Sequence, residues 1–135
     1  MIIDASVVVS HLVPHEARHE ATRRWLAGHV AGGGLLIAPA LLLPEVAGAI
    51  GRRTGRPRLA RRAIDALLRL PSLRLLALDE TLARAAATVA ARLRVRGADA
   101  VYIAAAAELR LPLVTWDLEQ RERAAGVVDV VVPET

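Results

Sequence analysis

Residues 111–117 read LPLVTWD, six uncharged residues and then an acid. A strand wet on one face alternates apolar and polar residues, and this run does not, so both of its faces must be covered. Residues 1–4, MIID, have the same form: a short apolar run closed by an aspartate. LLIA (35–38), LRLLAL (73–78) and VVDVVV (127–132) read as further strands. The stretches between them carry apolar residues at helical spacing. They are ASVVVSHLV (5–13), a segment from His15 to about Val30, Pro39 to Arg53, LARRAIDALLRL (59–70), a helix capped by Asp79 and running to about Val95, ADAVYIAAAAELR (98–110) and LEQRERA (118–124). Pro14 marks the start of the second helix, Pro44 is expected to begin or kink the third, and Gly97 breaks the chain. AGGG and TGRPR are a loop and a turn. Strands and helices therefore alternate, which gives an α/β fold with a central parallel sheet covered by helices on both faces. There is no internal repeat and no linker, so residues 1–135 read as one domain.

Composition narrows the functional classes. At 135 residues the chain can bury a core without disulfides, and it has no cysteine, which excludes thiolate metal sites. No apolar run approaches the ~20 residues of a membrane span, and the start has no basic region resembling a signal peptide. A cytoplasmic protein with no membrane association is the expectation. Net charge is +4, and all 18 basic residues are arginine. That surplus favours anionic partners, although the absence of lysine beside abundant alanine is also what a compositional bias produces. Aromatics are limited to Trp25, Tyr102 and Trp116, too few for a protein that reads single strands by stacking. Contacts to nucleic acid would go mainly to phosphate.

Four acids stand in apolar company. Asp4 and Asp117 each follow a strand directly, at the sheet edge where ligands bind in parallel α/β folds. Asp99 lies in the first turn of a helix that is apolar nearly all round, and Glu45 is alone in LLLPEVAGAI. An ionised carboxylate out of water costs several kcal/mol unless it is paired or binds a cation. We expect no neighbouring arginine to neutralise these acids, so a shared cation accounts for all four. The donors are hard oxygens, which suit Mg²⁺ or Mn²⁺ rather than zinc. Four charges match two divalent ions, the arrangement that clamps a phosphoryl displacement. Taken singly, Asp4 and Asp99 could be helix caps and Asp117 a turn residue. Glu45 has no such explanation in a helix interior.

MIIDAS, the acid in PEVAGAIGRR, RGADAVYIAAA and LVTWDLEQRERA together resemble the PIN domain family, and more narrowly its VapC-type toxin ribonucleases. The segments occur in the family's order and span nearly the whole chain. The resemblance implies a PIN-like three-layer α/β/α sandwich and a magnesium-dependent endoribonuclease. It carries the catalytic and metal-binding role onto Asp4, Glu45, Asp99 and Asp117, the first three holding Mg²⁺ and Asp117 holding or steering a second ion. Ser6 and Thr115 match hydroxyl positions that orient a carboxylate or a bound water. The resemblance also implies a cognate antitoxin, as the partner of a type II toxin, and a homodimer. For the grip on RNA, Arg52, Arg53, Arg56 and Arg58 form the densest basic cluster, with Arg92, Arg94 and Arg96 second.

Two other readings compete. Residues 15–19, HEARH, match H-E-x-x-H, the spacing of a zinc peptidase helix. The residues that follow, EATRRW, are strongly polar, and no third ligand lies at a familiar offset. His15 and His19 are therefore expected on an exposed helix face, with ion pairs from Glu16 or Glu20 to Arg23 or Arg24. The other alternative is a catalytically silent PIN-like module that binds RNA or protein. Such a module would normally lack one or more of the acids, and magnesium-dependent turnover separates it from the enzyme.

Overall fold

The computed structural model describes residues 1–134 and contains five strands and seven helices. The strands are β1 (Ile2–Ile3), β2 (Leu36–Pro39), β3 (Leu73–Leu76), β4 (Leu113–Val114) and β5 (Val130–Val131). The helices are α1 (Ala5–Leu12), α2 (His19–Ala31), α3 (Leu42–Thr54), α4 (Pro57–Leu68), α5 (Glu80–Leu93), α6 (Gly97–Leu109) and α7 (Leu118–Ala124). All strand pairs are parallel, in the order β3-β2-β1-β4-β5. Ile2 pairs with Ile37 on one side and Leu113 on the other, which makes β1 the centre of the sheet. Ile2, Ile3, Leu113 and Val114 are all buried, as their unbroken apolar runs require.

The helices form two groups. α1, α2, α3 and α4 pack among themselves, while α5 packs on α6 and α6 lies against β1, β2 and β4. Every residue from Ala100 to Ala106 on α6 is buried. Its four alanines in that stretch let a helix that is apolar all round sit close to its neighbours. The result is the expected three-layer α/β/α sandwich.

Several boundaries differ from the sequence reading. Residues 14–18 form a turn, so α2 begins at His19 rather than at His15, and Pro14 does not start a helix. Pro39 ends β2, and α3 begins at Leu42. Pro44 thus falls in the first turn, where a missing N–H breaks no helical hydrogen bond and produces no kink. Gly97 opens α6 instead of only breaking the chain. The strands near 73 and 127 are shorter than their apolar runs. Two helices end on arginines in the left-handed region, Arg94 (φ 55°) and Arg110 (φ 53°), where glycine is the usual residue. No helix among the described residues is long and apolar enough to cross a membrane.

Candidate active site

In a parallel α/β fold each helix starts where a strand ends, so helix N-termini point at the carboxyl edge of the sheet. The four acids use this. Asp4 is the N-cap of α1 and Asp117 the N-cap of α7, while Glu45 and Asp99 lie in the first turns of α3 and α6. Partial positive charge at a helix start favours a carboxylate by ~0.3–1 kcal/mol. Glu45 is consequently not in a helix interior, which corrects the sequence reading. β1 and β4 are neighbours at the point where the strand order reverses, which brings Asp4 and Asp117 side by side.

Hydrogen bonds fix this junction. Asp4 is 5% exposed. Its Oδ1 accepts from the Ser6 backbone N–H and its Oδ2 from the Thr115 hydroxyl. Thr115 Oγ1 in turn accepts from the Asp117 N–H at 3.0 Å, so one hydroxyl ties two acids together. Ser6 Oγ accepts from the Trp116 N–H at 3.0 Å. The Ser6 and Thr115 side chains thus brace the acids from the two adjoining strand ends. Burial raises the Asp4 pKa to about 6, against the pull of its Thr115 and Ser6 hydrogen bonds and with a further push from the Asp99 charge. Asp4 is more than a helix cap: one oxygen serves the start of α1 and the other the Thr115 hydroxyl.

Asp99 is the electrostatic hub. Burial raises its pKa, Arg96 lowers it, and the charges of Asp117 and Glu45 raise it again. Arg96 Nε lies 3.5 Å from Asp99 Oδ2. This corrects the expectation that no neighbouring arginine reaches these acids. The Arg96 side chain is 77% exposed, so water and salt screen the pair and leave it weak.

Two residues that the sequence reading passed over belong here. Tyr102 is 1% exposed, and its pKa is pushed up by burial, then by the Glu45 carboxylate beside it and by Asp4 and Asp99. Apart from this contact with each other's side chains, neither Tyr102 Oη nor Glu45 Oε1, both buried, has a hydrogen-bond partner. The available signal was a lone phenol in a helix of alanines, three positions after Asp99, hence on the same helix face. Gln120, also buried, donates its backbone N–H to Asp117 Oδ1 at 2.8 Å and its amide to the Asp99 carbonyl at 3.4 Å.

The all-oxygen donor set suits a hard divalent cation, and the unpartnered Glu45 Oε1 is an acceptor still available to one. Among the described residues, no three acidic or histidine side chains already gather into a ligand sphere. Asp99 is close enough to Asp4, Glu45 and Asp117 to couple with their charges.

Beside the acids runs a cleft of about 320 Å³. Its lining includes Ser6, Glu45 and Asp117 together with Arg18, Arg52 and Arg53. Glu45, Ala49, Arg52 and Arg53 share one face of α3 at helical spacing. Arg56 and Arg58 are exposed but lie outside the cleft lining, at the start of α4. Arg92, Arg94 and Arg96 are exposed around the end of α5, and Arg96 alone of them reaches an acid of the site.

HEARH does not form a zinc helix. His15 is in the turn, His19 opens α2, and His19 Nδ1 hydrogen-bonds the Ser10 carbonyl at 3.0 Å. Glu20 pairs with Arg23 (2.9 Å) and Arg24 (3.8 Å) as expected. Glu16 pairs instead with Arg53 on α3, because the turn carries it away from α2.

Comparison with known proteins agrees with this architecture. No curated protein sequence matches the chain. VapC20 of Mycobacterium tuberculosis, described as a sarcin–ricin loop cleaving toxin, superposes with a TM-score of 0.79 at 22% identity, over 96% of this chain and 97% of that one. VapBC2 of Rickettsia felis, solved with a DNA fragment from its promoter, gives a TM-score of 0.74 at 12% identity, covering 97% and 96%. FitAcB of Neisseria gonorrhoeae gives 0.74 at 20% identity, covering 98% and 96%. At these identities the likeness is one of fold. The PIN domain family model matches residues 1–126, and the chain belongs to that family.

Proposed function

We propose that this protein is a magnesium-dependent endoribonuclease and the toxin of a type II toxin–antitoxin pair. The observation that supports the reading is the coupling of Asp99 to the charges of Asp4, Glu45 and Asp117, each of which caps or opens a helix. Family membership and the fold shared with VapC toxins support it. Asp4, Glu45 and Asp99 would hold Mg²⁺ (or Mn²⁺), and Asp117 would hold or steer a second ion. Bound divalent cations lower the pKa of a water and offset charge on the attacking and leaving oxygens of a phosphodiester.

The chain's own residues do the rest. Thr115 and the Ser6 N–H hold the Asp4 carboxylate in one orientation. Gln120 and Thr115 hold Asp117 at its helix start. Helix N-termini favour the ionised form of all four acids. Arg52 lines the cleft and would grip a phosphate beside the scissile one, while Arg53, also in the lining, is paired with Glu16. A homodimer and an antitoxin that covers the acidic cleft complete the proposal. Solved neighbours that are toxin–antitoxin complexes support the second of these.

One observation favours the second reading, a silent RNA- or protein-binding module: Arg96 already sits beside Asp99. The Arg96 side chain is exposed and its charge screened, so a divalent cation would displace it from Asp99. The test is cleavage of a mixed cellular RNA pool by purified protein, with Mg²⁺ and with EDTA. Asp4→Ala and His15→Ala variants run beside the wild type. Discrete fragments that require Mg²⁺, vanish with Asp4→Ala and persist with His15→Ala are expected. Folded wild-type protein that cuts nothing would transfer the assignment to the silent module.

A further inference from the structure

We infer that Arg18, planted on the face of Trp116, is a substrate-binding residue of the cleft that holds a phosphate of single-stranded RNA beside the carboxylates. The inference rests on the ribonuclease reading for its substrate, and on the geometry of the 14–18 turn for its residue.

Trp116 lies between the two residues that organise the acids, Thr115 and Asp117. Its position is fixed on several sides. The indole Nε1–H donates to buried Thr22 Oγ1 at 2.8 Å, and Thr22 is itself hydrogen-bonded to Ser10 at 2.8 Å. The backbone N–H donates to Ser6 Oγ. Only 8% of Trp116 remains exposed. Arg18 covers this ring, its guanidinium carbon 4.6 Å from the ring centroid, and donates Nη1–H to the Trp116 carbonyl at 3.0 Å.

A guanidinium carries five N–H donors in a planar fork, and stacking orders it without consuming them. One donor goes to Trp116. Among the described residues, no carboxylate lies within ion-pair distance of Arg18. Arg53, also in the cleft lining, is instead neutralised by Glu16. That same ion pair fastens the turn to α3, which holds Arg18 in the cleft wall. Arg18 is therefore a fixed, unneutralised cation next to Asp117. An ordered cation loses little entropy on meeting an anion, so it holds a phosphate more strongly than a free surface arginine does. On the α3 side, Arg52 leans back over Gly48, where an added Cβ would come within 3.1 Å of Nη1. The strand would thus pass between Arg18 and Arg52, with its scissile phosphate at the carboxylate end.

The test measures binding apart from cleavage. Fluorescent single-stranded RNA is titrated with the Asp99→Asn protein, with and without Arg18→Gln, over a range of salt. Arg18→Gln keeps part of the stem on Trp116 and removes the charge, and Arg18→Lys keeps the charge without the planar fork. Thermal melting of each variant reports folding. We expect about tenfold weaker binding for Arg18→Gln. The slope of log K against log salt should become shallower by roughly 0.7, the value for each phosphate neutralised on a single strand. Arg18→Lys should keep the slope and lose part of the affinity. In the cleaving protein, Arg18→Gln should raise KM about tenfold with a much smaller change in kcat. A folded Arg18→Gln protein with unchanged affinity and slope would overturn the inference, as would failure of the parent protein to bind RNA. If Arg18 governs binding but wild-type protein never cleaves, the inference stands and the ribonuclease reading falls.

Discussion

Thr115 donates its hydroxyl to Asp4, a residue 111 positions earlier in the chain, and accepts the backbone N–H of Asp117. The Thr115 hydroxyl therefore ties together the ends of two adjacent parallel strands, each of which delivers an acid. Replacing Thr115 by valine keeps the shape and removes both interactions. Buried Asp4 Oδ2 then loses its donor and the Asp117 N–H its acceptor. The expected loss is about 2–4 kcal/mol by urea unfolding, with Thr115→Ser close to wild type. Equal stability of Thr115→Val and wild type would mean that this bond does not organise the junction.

The raised pKa of Asp4 makes stability depend on pH in a definite direction. Folded Asp4 titrates at about 6, against the ordinary 3.8. The folded state thus binds the proton more tightly than the unfolded one. Its contribution to stability is complete below about pH 4 and is lost as pH rises through 6, amounting to about 3 kcal/mol. Asp99, shifted the same way by burial, adds to the trend. Asp4→Asn removes the Asp4 share of the dependence while an amide can still meet Ser6 and Thr115. In EDTA, the stability of Asp4→Asn relative to wild type should therefore grow between pH 4 and pH 7. A constant difference across that range would show that Asp4 is not strained by its burial.

Added divalent cation should act mainly at high pH, where the acids are ionised and repel one another. Mg²⁺ or Mn²⁺ is expected to raise the melting temperature of wild type at pH 7.5 and to have little effect at pH 4.5. Asp99→Asn should lose most of that rise, because Asp99 is coupled to each of the other three acids. Scanning calorimetry of both proteins at both pH values checks this.

Tyr102 offers a test of its buried hydroxyl. Its Oη faces the Glu45 carboxylate and has no other acceptor within reach. Tyr102→Phe should leave stability within about 1 kcal/mol of wild type, or above it. Tyr102→Ala empties a buried site in α6 and should cost about 3–5 kcal/mol. A large loss for Tyr102→Phe would reveal a bond to the phenol.

The sheet and the placing of Asp4, Asp117 and Asp99 at helix starts are legible in the sequence because each rests on a local pattern. MIID and LPLVTWD are apolar runs ended by an acid, and Asp99 sits at the head of a helix with no polar face. The start of α2 is not legible, because a polar, helix-prone stretch from His15 carries no local sign that residues 14–18 turn to bring Glu16 to Arg53. Glu45 reads as a helix-interior residue because Pro39 to Leu43 looks helical in isolation. Pairing of β2 with β3, a tertiary event, keeps Pro39 in the sheet and moves the helix start forward. Arg18 is invisible for a related reason: its partner, Trp116, is 98 residues away. Arg52 and Arg53 stand out through charge density, which does not distinguish them from Arg56 and Arg58, outside the cleft.

If the carboxylate cluster cleaves RNA, Asp99 is its most connected member and the place to test it. Asp99→Asn is nearly isosteric and removes one charge from a half-buried position, so the fold should persist, as melting curves would show. The decisive experiment compares the initial rate of RNA cleavage by this variant with that of wild type at the same Mg²⁺ concentration. A loss of at least about 10²-fold with the fold intact is expected. Cleavage by folded Asp99→Asn at the wild-type rate would refute the carboxylate-cluster nuclease.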